Sequence, residues 1–296
     1  MKRLSRGEGV TGWLFTIPYL AYTIIFFVLP FLWGLLLLVS EWNLISPVRE
    51  FVGLGNLLEA LQSRRVHAAA LTPFKIMALF LPAVLIMSLG IAVLINSFKK
   101  RQGLLAVAFF LPYLASGVSM SLVVKGVVSY TSPVNKVISN IIGFVPDWLG
   151  TPSLAILVIA LMIAWRFSGY YALIFLSGLQ SIPGELYEAA QIDGAGRIKS
   201  FFKITLPQLY PALYSVIILA VGLMFGVFTE PYMLTGGGPN LATHTWYLEI
   251  YYQAFSTLRA GYASSIALYN AIAVFIVVGI VRRIMQAWGR AHGWEG

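Results

Sequence analysis

This sequence predicts an all-α, polytopic membrane protein with six transmembrane helices, and its composition is the first reason. Only 10% of the 296 residues are charged, 59% are hydrophobic, and the mean hydropathy is +0.82. A soluble chain of this length needs far more charge to cover its surface. The composition therefore places the chain in the membrane class before any motif is considered.

Long apolar segments are the second reason for this prediction. A helix needs roughly 20 mostly apolar residues to cross a bilayer. Six segments meet this requirement: 13–40, 74–95, 104–124, 154–179, 209–229 and 266–281. We expect a single transmembrane domain over residues 1–296, with its core at about 70–285 and the first helix and an outer loop at 1–69.

The distribution of basic residues predicts the orientation of these helices. The net charge is +9, but the basic residues form short clusters at the ends of apolar segments, which argues against a nucleic-acid partner and for membrane lipid. One side of the membrane receives twelve of them: Lys2, Arg3, Arg6, Lys99, Lys100, Arg101, Arg197, Lys199, Lys203, Arg282, Arg283 and Arg290. The other side receives seven: Arg49, Arg64, Arg65, Lys75, Lys125, Lys136 and Arg259. Because the richer side faces the cytosol, we expect both termini to be cytosolic.

Several classes of function are excluded by what the sequence lacks. There is no cysteine, so disulfides and thiolate metal sites are absent. No Gly-Lys dipeptide occurs, so the chain lacks the phosphate-binding loop whose lysine contacts a nucleotide. His67, His244 and His292 are far apart, and nothing near them has metal-ligand spacing. We therefore expect neither an enzyme nor a cofactor or metal bound by this chain.

A polar segment at 183–207 interrupts the apolar sequence between the fourth and fifth spans. Pro183 and Glu185 favour a helix start, and Gly194 favours a turn into a second short helix at about 197–204. Charges at the bilayer centre cost several kcal/mol, so we expect this hairpin to lie outside the lipid, on the cytosolic side. From its residues alone it is either a docking surface for a soluble partner or a pair of amphipathic helices at the lipid interface.

The same segment resembles the EAA loop of ABC-importer permeases, the membrane subunits that dock on separate ATPase subunits. Eleven positions over 24 residues match the family pattern in register: Glu188, Ala189, Ala190, Asp193, Gly194, Ala195, Phe201, Ile204, Leu206, Pro207 and Pro211. The resemblance implies that the first seven of these residues couple this chain to the ATPase. In this family the partner ATPase, and not the permease, binds ATP and magnesium.

Further motifs resemble the carbohydrate branch of these permeases, the maltose-type subunits, over about residues 12–285. These motifs are Glu41-Trp42-Asn43-Leu44, Phe110-Leu111-Pro112-Tyr113 and Leu234-Thr235-Gly236-Gly237-Gly238-Pro239. The resemblance implies one half of a heterodimeric pore in the bacterial cytoplasmic (inner) membrane. A second homologous permease, two ATPase subunits and an extracytoplasmic sugar-binding protein would complete the importer.

Arg166 is the main candidate for the transport pathway. It lies near the middle of a span, where an ionisable side chain is costly and usually marks a functional site. Tyr170 shares its helix face, Tyr171 adds a second ring, and the resemblance adds Met224 and Glu230 as lining candidates. A direct Arg166–Glu230 pair is not expected, because roughly a dozen residues of depth at about 1.5 Å each separate them. The alternatives for Arg166 are pairing with the partner permease or reaching the interface. The alternatives for Glu230 are contact with the binding protein or a sugar hydroxyl, and a position at an interfacial helix end.

Two other functions fit parts of the pattern. A permease of the same superfamily for a non-sugar solute would share the hairpin, although the triple-glycine motif favours the sugar branch. An ion-coupled secondary transporter would usually carry an inverted repeat and a buried acidic coupling residue. Neither is evident in the sequence. The residues leave open whether the sugar is neutral or acidic.

Overall fold

Helices form almost all of the regular structure. The computed structural model describes residues 6–43, 45 and 49–294. Within this part of the chain the only strands are β1 (Ser40–Glu41) and β2 (Glu50–Phe51), which pair antiparallel. The predicted all-α class is therefore confirmed. Three residues named above lie outside the described residues: Lys2, Arg3 and Leu44.

The helices follow one another with short connections. In chain order they are α1 (Arg6–Thr23), α2 (Leu29–Leu38), α3 (Gly55–Gln62), α4 (Arg64–Ser97), α5 (Gln102–Leu114), α6 (Gly117–Val127), α7 (Pro133–Ile142), α8 (Pro152–Ser181), α9 (Gly184–Ile192), α10 (Arg197–Ser200), α11 (Leu206–Gln208), α12 (Tyr210–Met224), α13 (Thr229–Thr235), α14 (Trp246–Tyr251) and α15 (Ala260–Ala291). A 3-10 turn precedes α5, and π-helical turns adjoin α1, α10 and α14: Lys99–Arg101, Ile24–Val28, Phe201–Thr205 and Tyr252–Ser256.

The chain forms two compact units. The first comprises Met1–Ser63 with Ile250–Leu268, and the second comprises Arg64–Glu249 with Tyr269–Gly296. The assignment of residues 1–296 to a single transmembrane domain stays a prediction.

Arg259 organises the polar side of the first unit. Its guanidinium donates to both carboxylate oxygens of Glu59, at 2.6 and 2.7 Å, and to Glu41 at 3.2 Å. These hydrogen bonds, together with its positive charge, hold the pKa of the Glu59 carboxyl below its ordinary value despite partial burial. Nearby, the Asn56 amide donates to the carbonyls of Leu38 and Ser40, each at 3.0 Å. Side chains of α3, and Arg259 just before α15, are thereby tied to the segment that follows α2.

The core of the second unit lies between α4 and α8, with α5 and α12 packed against them. Fully buried apolar side chains such as Phe80, Ile163 and Val216 fill this core. Gly169 allows α8 to approach α5 closely, because a Cβ there would overlap the carbonyl of Phe109. Small residues at helix contacts are typical of membrane helices, whose association depends on close backbone packing.

Among the described residues, four helical stretches are long and apolar enough to cross a membrane: Trp13–Leu38, Arg64–Ser97, Pro152–Ser181 and Ala260–Ala291. Two more candidates are bent pairs, Lys99–Leu114 with Gly117–Val127 at 89° and Arg197–Gln208 with Tyr210–Met224 at 64°. Counting each bent pair as one span gives six. The presence of six spans therefore stays a prediction, and the helices of the described residues are consistent with it.

The third and fifth apolar segments differ from the continuous helices expected at 104–124 and 209–229. The third breaks at Ala115 and Ser116, whose ψ angles of 143° and 131° are extended rather than helical. The fifth ends at Met224, where turn hydrogen bonds such as Gly226 N–H to Leu223 C=O at 3.0 Å replace the helical ladder. Hydropathy does not detect these breaks, because the residues on both sides remain apolar.

Candidate functional site

The polar segment after α8 folds as the predicted hairpin of short helices. Pro183 immediately precedes α9, and Glu185 lies in the first turn of that helix, where the dipole favours negative charge. The second arm begins with α10 and continues through the π-helical turn Phe201–Thr205. The second arm therefore occupies the predicted range of about 197–204.

Gly194 forms the turn between the two arms. Its φ of +74° lies in the left-handed region that favours glycine, as predicted. The amide of Ala195 donates to the carbonyl of Ala190 at 2.8 Å and closes the turn. The hydroxyls of Tyr187 and Thr205 lie 2.9 Å apart and join the two arms. The hairpin is therefore held by its own hydrogen bonds.

The surface of this hairpin combines charged and apolar side chains. Ile192 and Ile198 are 87% and 78% exposed, and Phe202 is also exposed. Of the seven predicted coupling residues, four are exposed and three half-buried: Glu188, Ala189, Asp193 and Gly194, then Ala190, Ala195 and Phe201. Exposed apolar side chains beside charges are typical of a surface that another protein or the lipid interface covers.

Arg166 and Glu230 form an ion pair, so the expectation that they would not meet is wrong. The Arg166 Nη1 donates to the Glu230 Oε1 at 2.8 Å, and the two side chains are 20% and 6% exposed. The expectation assumed a fifth helix that carried Glu230 to the outer end of its span. Helix α12 ends at Met224 instead, and α13 packs against α6 and α8, which brings Glu230 to the depth of Arg166.

The other pathway candidates lie in two different environments. Tyr170 lines a cavity of about 650 Å³ between α5, α8 and α12, together with Phe110 and Ser177. Tyr171 and Met224 are each 1% exposed and belong to the core of the second unit. Among these three candidates, Tyr170 is therefore the one whose side chain borders open space in this structure.

The triple-glycine turn encloses a polar network that the sequence analysis missed. The His244 Nε2 lies 2.6 Å from Glu249 Oε2, to which the Arg65 Nε donates at 2.8 Å. The Glu249 side chain is fully buried, and a buried carboxylate needs such partners. The signal in the sequence that could have predicted this network was Glu249, an acidic residue within the apolar sequence of α14. In the described part of the chain, no group of three or more acidic and histidine side chains is arranged to hold a metal ion.

Residues 52–289 match the family model described as "Binding-protein-dependent transport system inner membrane component". The chain belongs to this family. This permease is therefore an inner-membrane component of a transport system that depends on a binding protein, and it is a transporter subunit rather than an enzyme. Membership also decides against the ion-coupled secondary transporter.

Known relatives are similar along nearly the whole permease. The "Multiple sugar-binding transport system permease protein MsmF" of Streptococcus mutans is 32% identical over 271 residues, covering 91% of this chain and 92% of that protein. The "Trehalose/maltose transport system permease protein MalF" of Thermococcus litoralis is 30% identical over 278 residues, covering 93% and 94%.

A solved structure shares the fold of the permease. A chain of a bacterial ABC transporter involved in the import of the acidic polysaccharide alginate matches with a TM-score of 0.80. The match covers 95% of this permease and 96% of that chain, at 22% sequence identity. At this level of identity the similarity supports the fold and carries no residue-level conclusion.

Proposed function

We propose that this chain is a transmembrane permease subunit of an ATP-driven sugar importer that depends on a binding protein. Relatives at 30–32% identity over more than nine tenths of this chain are named for sugars. The triple-glycine motif at 236–238, which resembles the sugar branch, supports the same substrate class. A permease for a non-sugar solute would share the family but not these two features.

The exposed hairpin between α8 and α12 is the observation that carries the coupling part of this proposal. Its arms are tied to each other, and both continue into helices of the second unit. A partner that moves the hairpin therefore moves α8 and α12 with it. ATP drives such a change only by binding one state of the ATPase more tightly than the other. Glu188 and its exposed neighbours form the contact with that ATPase.

The remaining subunits follow from this role. A second homologous permease completes the pore, two ATPase subunits bind ATP and magnesium, and an extracytoplasmic sugar-binding protein delivers the cargo. Both termini and the hairpin face the cytosol, in agreement with the excess of basic residues on that side. Arg166 and Tyr170 lie along the pathway side of α8.

The test is reconstitution of this permease with the permease, ATPase and binding protein that its gene neighbourhood encodes. ATP hydrolysis is measured in lipid nanodiscs across a panel of sugars. We expect one class of sugar to stimulate hydrolysis, and only when the binding protein is present. Stimulation by a non-sugar solute alone would contradict the assigned substrate class.

The charge reversal Glu188→Lys tests the coupling surface. Because it places a repulsive charge in a protein contact, we expect sugar-stimulated hydrolysis to fall about tenfold or more. Glu50→Lys is the matched control, since Glu50 is an exposed acid in β2 and undergoes the same charge change. Membrane insertion of both variants should equal that of the unmodified chain. Normal sugar uptake by Glu188→Lys would remove the hairpin from the coupling mechanism.

A further inference from the structure

Two interrupted helices meet at the Arg166–Glu230 pair. Helix α6 begins at Gly117, directly after the 89° bend that separates it from α5. Helix α13 begins at Thr229, after the break that ends α12. Helix α13 packs against both α6 and α8. Arg166 lies near the midpoint of α8, about 21 Å from the first residue of that helix at 1.5 Å per residue. Non-helical backbone at this depth is tolerated only inside protein or beside a water-filled path.

Formal charge is sparse in the helices around this pair: the other charged residues are Lys125 of α6 and, in the first twelve residues of α4, Arg64, Arg65 and Lys75. Arg166 is the single charged residue of α8, and Glu230 is the single charged residue of α13. Helices α5 and α12 carry none, and the lysine of α6, Lys125, lies in its last turn, away from Gly117. An isolated charge at this depth is costly, so each of the two side chains compensates for the other.

Tight packing fixes the pair in place. A Cβ on Gly117 would lie 3.0 Å from the Arg166 Nη1, 3.2 Å from the Thr229 Cγ2 and 3.5 Å from the Glu230 Oε1. The glycine therefore leaves just enough room for the guanidinium and the carboxylate between α6 and α13. A side chain at Gly117 would therefore require the Arg166 guanidinium or the Thr229 methyl to shift by a few tenths of an ångström.

The cavity lined by Tyr170, one helical turn along α8 from Arg166, has walls that suit sugar hydroxyls and ring faces, and neither Arg166 nor Glu230 lines it. Tyr170 lies on the same face of α8 as Arg166. The aromatic ring of Phe110 and the hydroxyls of Ser177 and Ser215 also line it, and no charged side chain does. With Arg166 compensated by Glu230, the cavity and the pair present no net charge.

We propose that Glu230 cancels the charge of Arg166 so that the pathway through this subunit selects uncharged sugars over acidic ones. The inference rests on the proposed function of sugar import and names the class of sugar. The names of similar proteins do not decide the matter, because they include both trehalose/maltose and the acidic polysaccharide alginate. In this proposal, the Arg166–Glu230 ion pair determines the preference for neutral over acidic sugars.

Competition by charged sugars tests this selection. The complete transporter is purified in detergent, so that probes reach both faces, and stimulated by the neutral sugar that it transports. A galacturonate disaccharide serves as the anionic probe and a glucosamine disaccharide as the cationic one. Glu230→Gln leaves Arg166 uncompensated, and we expect it to lower the inhibitory concentration of the anionic probe about tenfold. Arg166→Gln leaves Glu230 uncompensated and should lower that of the cationic probe instead.

Two further variants separate charge from other effects. The double variant Arg166→Gln with Glu230→Gln is neutral again and should respond to both probes as the unmodified transporter does. Glu59→Gln breaks the pair with Arg259 outside this junction and should change neither response. Gel filtration reports whether each variant assembles. If one of the two single variants fails to assemble, the other still tests the inference with the probe of the opposite charge.

The outcomes distinguish this inference from the proposed function. Unchanged responses of assembled Glu230→Gln and Arg166→Gln to the charged probes would overturn the inference and leave sugar import intact. Strong inhibition of the unmodified transporter by the anionic probe would overturn it as well. If no sugar stimulates the unmodified complex, it is the proposed function that fails.

Discussion

Gly237 is the residue on which the packing of the triple-glycine turn depends most directly. Its φ is +89°, and a Cβ there would lie 2.6 Å from the His244 Nδ1 and 2.8 Å from the Leu248 Cδ2. The imidazole has little freedom to move away, because its other nitrogen contacts the buried Glu249. The second of the three glycines therefore has a packing reason that does not require a bound ligand.

We expect Gly237→Ala to destabilise the permease, since it combines a strained φ with a clash against a fixed ring. The cost is about 1–3 kcal/mol, which lowers the midpoint of thermal unfolding in detergent by several degrees. Gly222→Ala in α12 is the control, because a Cβ there meets nothing within 4 Å. Equal melting temperatures for the two variants would show that the turn adapts to a side chain.

At the scale of elements, α15 holds α12 at the bend that follows the hairpin. The Tyr210 hydroxyl donates to the carbonyl of Met285, and its ring lies 5.7 Å from that of Trp288 and 6.0 Å from that of Trp294. Gly289 makes this approach possible, since a Cβ there would lie 2.6 Å from the Tyr210 hydroxyl and ring. The end of α15 is therefore built around one tyrosine at the start of α12.

Gly289→Ala should loosen this contact and lower both the melting temperature and sugar-stimulated ATP hydrolysis. Overpacking a close helix contact costs about 1–3 kcal/mol, and the hairpin transmits motion to α12 through the affected bend. Gly279→Ala is a matched control on the same helix, with nothing within 4 Å of the added atom. A melting temperature of Gly289→Ala equal to that of the control would contradict this role of α15.

Local signals made the hairpin predictable, whereas the ion pair depended on distant backbone. Pro183 and Gly194 act on their own neighbours, and the structure has them at the helix start and the left-handed turn. Glu230 reaches Arg166 only because α12 ends at Met224 and the chain turns into α13. A hydropathy pattern reports that a segment is apolar and does not report where its helix breaks. The sequence therefore predicted both charged residues as candidates and missed their contact.

At the scale of the whole molecule, composition and motifs were sufficient to predict a membrane permease, whereas its specificity for a sugar depends on a few side chains. Low charge and long apolar segments predicted a membrane protein, and the family match over residues 52–289 agrees. The cargo could not be predicted in the same way. The residues that line the cavity beside Tyr170 are separated in the sequence, and a single-sequence pattern does not show that they are close in space. Its lining comes from three helices that are far apart in the chain.

Orientation is the whole-molecule property that decides whether the hairpin meets ATP. The chain has no cysteine, so single cysteine substitutions label against an empty background. Ile192→Cys lies on the hairpin and Tyr130→Cys lies between α6 and α7, at positions that are 87% and 70% exposed. In cells that lack the ATPase, a membrane-impermeant maleimide should label Tyr130→Cys at once and Ile192→Cys only after permeabilisation. The reverse pattern would place the hairpin outside the cell, where no ATPase could bind it. That result would contradict both the predicted orientation and the coupling mechanism.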